Sequence, residues 1–186
     1  FLRRLREALP ECVAAPTVRG HGPLTPAPLP EIGYPQEAFD PHLFAEDEKT
    51  AIARLRRFCQ QQAADYDLQR DFPATEGTSR LSPCLAVGVL SPRQCLHRLL
   101  AEQPAALDGE AGSVWLNELI WREFYRHLMV FYPDLCKGRP FIAWTDNVTW
   151  RDDVQGLEAW QAGKTGFPIV DAAMRQLNAT GWMHNR

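Results

Sequence analysis

Length, composition and charge set the first limits. The chain has 186 residues, which is enough for one domain and a linker, and its formal net charge of −3 gives it no general basic character. Any contact with a nucleic acid must therefore come from a local patch. The five cysteines are widely spaced without a C-x-x-C pair, and the histidines form no cluster, so we expect neither disulfides nor a metal site. The absence of a long apolar run and of a signal-peptide pattern argues against membrane insertion and export.

The N-terminal quarter predicts a linker. Residues 1–10 have the pattern of a short basic amphipathic helix, with Leu2, Leu5 and Leu9 on one side. Eight of the fifteen prolines lie between Pro10 and Pro41, which predicts an extended connector with no helix longer than one turn. We therefore expect a linker over residues 1–45 and a mainly α-helical domain over residues 46–186. Because the chain starts without Met and stops in a helical pattern, we expect a fragment of a longer protein.

Two segments of the helical part begin with clear start signals. Acidic residues precede an apolar set at helical spacing, which predicts a helix from about Asp47 to Ala64; its arginines, Arg54 among them, are interpreted as a solvated face. In the segment 77–83, Ser82 followed by Pro83 is typical of an N-cap and first helical residue, and Ser91 followed by Pro92 repeats the pattern. Hydroxyls and backbone N–H groups before such a helix can hold an anion, although a simple capped turn explains the same residues.

A long helix is predicted from Ser113 to Tyr132, because this stretch contains neither Gly nor Pro and is rich in large apolar residues. It is apolar nearly all round, so we expect other helices to surround it. The default interpretation of Glu118 is an i,i+4 ion pair with Arg122. The alternative is a carboxylate between two indoles, Trp115 and Trp121, that lines a cavity for a flat aromatic ligand. Periodicity alone favours core packing.

The last third continues with helices and an aromatic loop. Pro133 ends the long helix, and an aromatic loop follows it up to Trp150. The default interpretation of Trp150 is a core residue, because most tryptophans are largely buried. A helix is predicted to begin at Phe167-Pro168 and to end in a left-handed turn at Gly181. Within it, Asp171 and Arg175 stand at i,i+4, so an ion pair is the default expectation.

Three runs together resemble the signatures of the photolyase and cryptochrome family, in its order and at its spacing: residues 77–82, 115–125, and 163–177 with 180–186. The resemblance is closest to bacterial members that repair cyclobutane pyrimidine dimers. It implies the front half of the family's all-helical FAD-binding domain, preceded by the interdomain linker. It also implies an upstream domain with an antenna chromophore, such as a folate.

The resemblance implies light-dependent repair, in which excited, reduced FAD lends one electron to the dimer, the cyclobutane ring opens and the electron returns. The implied partner is ultraviolet-damaged DNA, and we expect a monomer in the bacterial cytoplasm with no obligate protein partner. A cryptochrome-like blue-light sensor that binds FAD without repairing DNA is the alternative. A third hypothesis is that the chain alone is inactive, and either is loosely packed or pairs with another copy of itself.

The resemblance also implies residue roles. Glu118 hydrogen-bonds the dimer, which requires its protonated form where the partner is a carbonyl; Trp121 stacks on the flipped dimer; and Trp150 matches the relay tryptophan nearest the protein interior. The implied FAD contacts are Tyr66, Thr78, Ser79, Arg80, Leu81, Ser82, Trp115 and Asn185. The implied DNA contacts are Arg70, Glu118, Leu119, Ile120, Trp121, Arg122, Glu123, Phe124, Tyr125, Asn185 and Arg186.

Overall fold

The computed structural model describes residues 2–11, 40–45 and 47–186, and these residues form helices and turns without a strand. The mainly α-helical class is therefore confirmed. Eight α-helices follow one another within these described ranges: α1 Leu2–Glu7, α2 Glu48–Gln61, α3 Tyr66–Gln69, α4 Ser82–Ala86, α5 Pro92–Glu102, α6 Ser113–Phe131, α7 Val154–Gln161 and α8 Pro168–Thr180. Short 3-10 turns occupy Pro104–Asp108, Pro133–Lys137 and Ala143–Asn147. Most of the predicted Pro10–Pro41 connector lies outside the described residues.

The hydrophobic core lies where α2, α5 and the first half of α6 meet. Phe58, Leu99 and Leu116 are almost completely buried there, because each helix places its apolar residues at a spacing of three and four positions. Helix α1 packs on this core through Leu2 and Leu5, and it ends at Glu7, so Leu9 is exposed rather than part of the apolar side.

The cysteines of the described segments, Cys59, Cys84, Cys95 and Cys136, are free thiols. Burial raises the pKa of Cys59 and of Cys95 to about 12, so both remain protonated and unreactive at neutral pH. These two thiols act as small apolar residues of the core.

Helix α2 confirms the predicted start but corrects the interpretation of its arginines. The Asp47 side chain accepts a hydrogen bond from the Thr50 N–H and caps the helix. Arg54 is only 9 % exposed, and its guanidinium donates to the carbonyl oxygens of residues 41, 42 and 43 at 2.7–3.2 Å. The solvated-face interpretation is wrong for this residue. Arg54 instead fixes the chain segment that enters α2.

Two start signals have different outcomes. Ser91 caps α5 as predicted, in a capping box with Gln94. Ser82 is the first residue of α4 and not its N-cap; that position belongs to Leu81, which offers no side-chain cap. The predicted anion-binding helix start therefore lacks the expected serine cap.

Helix α6 matches its predicted bounds to one residue, but it is not surrounded along its length. Its buried residues, Trp115, Leu116 and Leu119, lie in the first half, whereas Met129, Val130 and most other apolar side chains beyond position 120 are exposed. The expectation of a fully enclosed helix is wrong for the described part of the chain.

Helices α7 and α8 form a hairpin that Asp171 and Gly163 hold together. Asp171 accepts hydrogen bonds from the Thr165 N–H and hydroxyl, both at 2.7 Å, and from the Gly166 N–H at 3.0 Å. Arg175 donates instead to the Gly163 carbonyl at 3.0 Å, so the default expectation of an Asp171–Arg175 ion pair is wrong. Gly181 ends α8 in the left-handed region at φ 71°, as predicted.

Candidate functional site: a network of arginines and carboxylates beside an aromatic face

The site is organised by α3 and the turn after it. Arg70, the residue that follows α3, donates from Nη1 to Glu118 Oε1 of α6 at 2.5 Å. Its guanidinium also lies 5.7 Å from the centroid of the Tyr66 ring. The default i,i+4 ion pair between Glu118 and Arg122 is therefore replaced by a long-range pair with Arg70, a residue 48 positions earlier.

The C-terminal segment joins the same network. The Arg186 Nε donates to Asp71 Oδ1, and Arg70 Nε lies 3.7 Å from that same oxygen. Glu118, Arg70, Asp71 and Arg186 thus form a continuous series of alternating charges. It connects α6, the turn after α3 and the end of the chain, which are separated by up to 115 residues in sequence.

The loop 77–82 lies against the same end of the molecule. Gly77 packs so closely on Gln69 that an added Cβ would lie 2.5 Å from the Gln69 Cβ, which explains glycine at this position. Arg80 adopts a left-handed φ of 51°, pairs with Glu76 at 3.0 Å and places its guanidinium 5.1 Å from the Trp182 ring centroid. The loop is therefore held between α3 and the C-terminal segment.

Electrostatics follow from these contacts. Burial raises the pKa of Tyr66, and the neighbouring Glu118 carboxylate adds to the rise, so its phenol stays neutral near pH 7. The hydrogen bond from Arg186 lowers the pKa of Asp71. Burial lowers the pKa of His184, whose Nδ1 accepts from the Arg186 N–H at 3.2 Å and whose Nε2 is buried without a hydrogen-bond partner.

An exposed aromatic face continues from Glu118 along α6. Trp121 is 53 % exposed and stacks on Tyr125 at a centroid distance of 6.0 Å, with Phe124 edge-on to both rings. Exposed stacked rings of this kind offer a flat surface on which another ring can stack.

The Glu118 side chain is 43 % exposed and accepts from Arg70. Glu118 is therefore only partly buried in this structure. A carboxylate that accepts from a guanidinium is suited to receive a hydrogen bond from an N–H group of a ligand.

Several predicted contacts do not converge. Trp115 is a core residue whose ring centroid lies 4.9 Å from that of Phe58. The indoles of Trp115 and Trp121 therefore do not form two walls of one cavity. The run 118–125 winds around α6 and cannot face one ligand in full: Leu119 is buried, and Arg122 donates to the Leu85 carbonyl at 2.9 Å. Ile120 and Glu123 line a groove of about 740 Å³ that opens between α1, α5 and α6.

The remaining predicted residues vary in exposure. Thr78 and Ser79 are half-buried, whereas Ser82 and Asn185 are exposed. Trp150 is 84 % exposed, so the interior position that the resemblance implied for it is wrong in this structure.

Comparison with known proteins shows which family the chain resembles. Residues 115–186, which include α6 and the C-terminal segment, match the family model described as the FAD binding domain of DNA photolyase. The chain belongs to the DNA photolyase family. It is 68 % identical over its whole length to a deoxyribodipyrimidine photo-lyase of Escherichia coli, and 65 % identical to one of Salmonella typhimurium. The chain spans only 39 % and 40 % of the length of these two relatives.

Solved photolyase and cryptochrome structures share the fold. A class III photolyase from Agrobacterium tumefaciens is 39 % identical with a TM-score of 0.66, over 75 % of this chain and 29 % of that one. A cryptochrome from Synechocystis is 32 % identical with a TM-score of 0.69, over 82 % of this chain and 33 % of that one. The photolyase resemblance seen in the sequence motifs is confirmed.

Sequence reasoning missed two residues of this site: Asp71, which belongs to the network, and His184, which accepts from the Arg186 N–H. Neither stands out by periodicity, although Asp71 directly follows Arg70 and His184 directly precedes Asn185, which the motifs identified. The available signal for Asp71 was its position directly after Arg70, which lies four residues beyond Tyr66, a predicted FAD contact. Among the described residues, no helix is both long enough and apolar enough to cross a membrane.

Proposed function

We propose that the protein containing this chain repairs cyclobutane pyrimidine dimers in DNA under blue or near-ultraviolet light, with reduced FAD as its cofactor. The observation that carries the proposal is the network of Arg70, Glu118 and Arg186 beside the exposed ring of Trp121. Separate motifs supply these residues, and they lie together only in the folded chain. The similarity to deoxyribodipyrimidine photo-lyases supports the same activity.

In this proposal residues 46–186 are the first part of the FAD-binding domain and residues 1–45 are a linker. The protein acts as a monomer in the bacterial cytoplasm, on DNA that contains pyrimidine dimers. No protein partner or metal is required for the reaction.

The loop 77–82 fits the pyrophosphate of FAD by the chemistry of its donors. Thr78 and Ser79 offer half-buried hydroxyls, and Gly77 lets the backbone come close to α3. Tyr66 lies at the other end of α3 with a neutral phenol, and Asn185 is exposed and free to reach a ring edge. When bound, the flavin supplies the excited electron that opens the cyclobutane ring.

The lesion would lie on the aromatic face. Trp121 stacks on the extruded dimer, and Glu118 accepts a hydrogen bond from a pyrimidine N–H while Arg70 and Arg186 bind flanking phosphates. Extrusion of a damaged pair costs a few kcal/mol at most, because such bases stack and pair poorly.

Trp150 keeps its proposed relay role but at the other end. An indole that is 84 % exposed is suited to exchange electrons with solvent, so we assign it to the outer end of the relay. The step to the flavin then needs tryptophans closer to the interior.

The test uses the full-length protein. Its absorption spectrum is recorded first, and the reduced protein is then illuminated with an oligonucleotide that holds one thymine dimer. We expect flavin bands and a light-dependent loss of dimer. Flavin bands without dimer loss contradict the repair proposal.

A cryptochrome-like light sensor is the second candidate, favoured by the TM-score of 0.69 to the Synechocystis cryptochrome. It predicts flavin photoreduction without cleavage of the dimer. The same illumination experiment separates the two candidates, since only repair restores intact pyrimidines.

A further inference from the structure

Asp71 is the centre of the ion network, and neither the motifs nor the comparisons assign it a role. Its Oδ1 receives a hydrogen bond from the Arg186 Nε and lies 3.7 Å from the Arg70 Nε. Both arginines are proposed phosphate contacts. A carboxylate between two guanidinium groups that bind phosphates weakens the electrostatic attraction to DNA, so its presence needs a physical reason.

The geometry supplies a reason. Arg70 uses Nη1 for Glu118 and turns its Nε toward Asp71, so contacts on two sides restrict the orientation of its guanidinium group. Arg186 is restricted from two sides as well, because its side chain bonds Asp71 and its backbone N–H bonds His184 Nδ1. Side chains that are already ordered lose less conformational entropy when a ligand binds.

The negative charge of Asp71 should weaken binding to undamaged DNA. Binding without regard to sequence or damage depends mainly on the positive charge presented to phosphates. Asp71 is 57 % exposed at the same surface, so its negative charge opposes that attraction. One residue therefore weakens general DNA binding while it orders the groups that contact a lesion site.

We propose that Asp71 is a positioning and specificity-determining residue that increases the preference of the protein for dimer-containing over undamaged DNA. It acts through Arg70 and Arg186 and does not itself contact the dimer. This inference rests on the proposed repair function.

The experiment measures binding of Asp71→Asn to two duplexes that differ only by one thymine dimer, with the full-length, FAD-loaded protein in a salt series. We expect affinity for undamaged DNA to rise about two- to fivefold, and the ratio of the two affinities to fall by a similar factor. The salt dependence for undamaged DNA should steepen by about one phosphate contact.

Glu76→Gln is the matched control, because Glu76 also pairs with an arginine but stands outside the network. It removes the same charge, so it should raise both affinities and leave their ratio unchanged. Asp71→Glu keeps the charge and moves the carboxylate by one methylene group. It should bind undamaged DNA like the parent while its preference for dimers falls.

If the parent repairs dimers, two results overturn this inference and leave the proposed function standing. One is an unchanged ratio of the two DNA affinities in Asp71→Asn, and the other is an equal ratio in Asp71→Asn and Glu76→Gln. A parent that neither prefers nor repairs dimer-containing DNA overturns the proposed function together with it. Flavin content and the midpoint of thermal unfolding are measured for each variant. A variant that loses its flavin or its fold assigns Asp71 a structural role and contradicts the inference.

Discussion

At the scale of single residues, Trp121 and Glu118 differ in the contacts that hold their side chains. Trp121 is held by ring contacts on its own helix and faces outward, whereas Glu118 is held by Arg70 from another element. The first therefore provides apolar surface to a ligand, and the second provides a hydrogen-bond acceptor in a set orientation. Their substitutions should affect different steps.

Replacing Trp121 by Ala should weaken binding to dimer-containing DNA about fivefold or more, because stacking of one base on an aromatic ring contributes about 1–3 kcal/mol. The measurement is a titration with a dimer-containing duplex. Trp144→Ala is the control, since Trp144 is also exposed, at 65 %, but lies in the loop beyond α6. Equal affinities of both variants and the parent would remove the stacking role.

Replacing Glu118 by Ala should lower the repair yield per absorbed photon severalfold and leave FAD bound. DNA binding should persist, because the change frees the Arg70 guanidinium for phosphate. Actinometry with a dimer oligonucleotide measures the yield, and the flavin spectrum measures retention. Glu102→Ala, which removes a carboxylate paired with Arg98 on α5, is the control. A parental yield in Glu118→Ala would contradict the assignment.

At the scale of elements, the α7–α8 hairpin shows how one buried carboxylate replaces an ordinary cap. Asp171 receives three hydrogen bonds from Thr165 and Gly166, so it closes the turn between the two helices and satisfies N–H groups before α8. Gly163, at φ 63°, permits the close approach of the two helices at this turn. The hairpin thus carries the segment that ends in Arg186.

The stability of this hairpin should depend on pH. The Thr165 hydroxyl is the largest cause that lowers the pKa of Asp171 below 3.8, and the N–H groups of Thr165 and Gly166 add to it. Because the folded-state pKa is the lower one, the stabilisation is complete well above pH 3.8 and is lost as the pH falls through the folded-state value.

Asp171→Asn should therefore lower the midpoint of thermal unfolding by several degrees at pH 7, with a difference that shrinks toward pH 3. Asp152→Asn, at an exposed aspartate and with the same change in charge, is the control. Thermal unfolding followed by circular dichroism from pH 3 to pH 7 measures both. A difference from the parent that is independent of pH would contradict the ionised role of Asp171.

At the scale of the whole molecule, the described residues combine a buried hydrophobic core with many exposed apolar side chains. The exposed residues include Trp121, Tyr125, Met129, Val130, Phe131, Trp144, Trp150, Leu157 and Trp160. Surfaces of this kind favour association, either with another copy or with further protein. The charge network adjoins these residues at Trp121, which lies three residues after Glu118 on α6.

The 186-residue chain alone should therefore bind a hydrophobic dye and self-associate as its concentration rises. Fluorescence of the dye and light scattering over a concentration series measure this. The full-length protein with FAD is the comparison and should show much less of both. A chain that stays monomeric and binds no dye would contradict the expectation.

Much of the local structure could be predicted from the sequence. The bounds of α6, the Ser91 cap and the Gly181 turn depend on residues within a few positions of one another, and each appears as expected. Motif resemblance identified Arg70 and Glu118 separately. Their pairing could not be predicted, because it depends on how α3 packs against α6.

The amino-acid sequence by itself determined the helical class, most helix bounds and the family, since short-range spacing and contiguous motifs encode all three. Only the tertiary structure decided that Arg54 is buried, that Trp150 is exposed and that Asp71 joins Arg70 to Arg186. The physical reason is that burial and ion pairing depend on the neighbours a side chain meets in space. Those neighbours come from elements tens of residues away, and no local pattern specifies them.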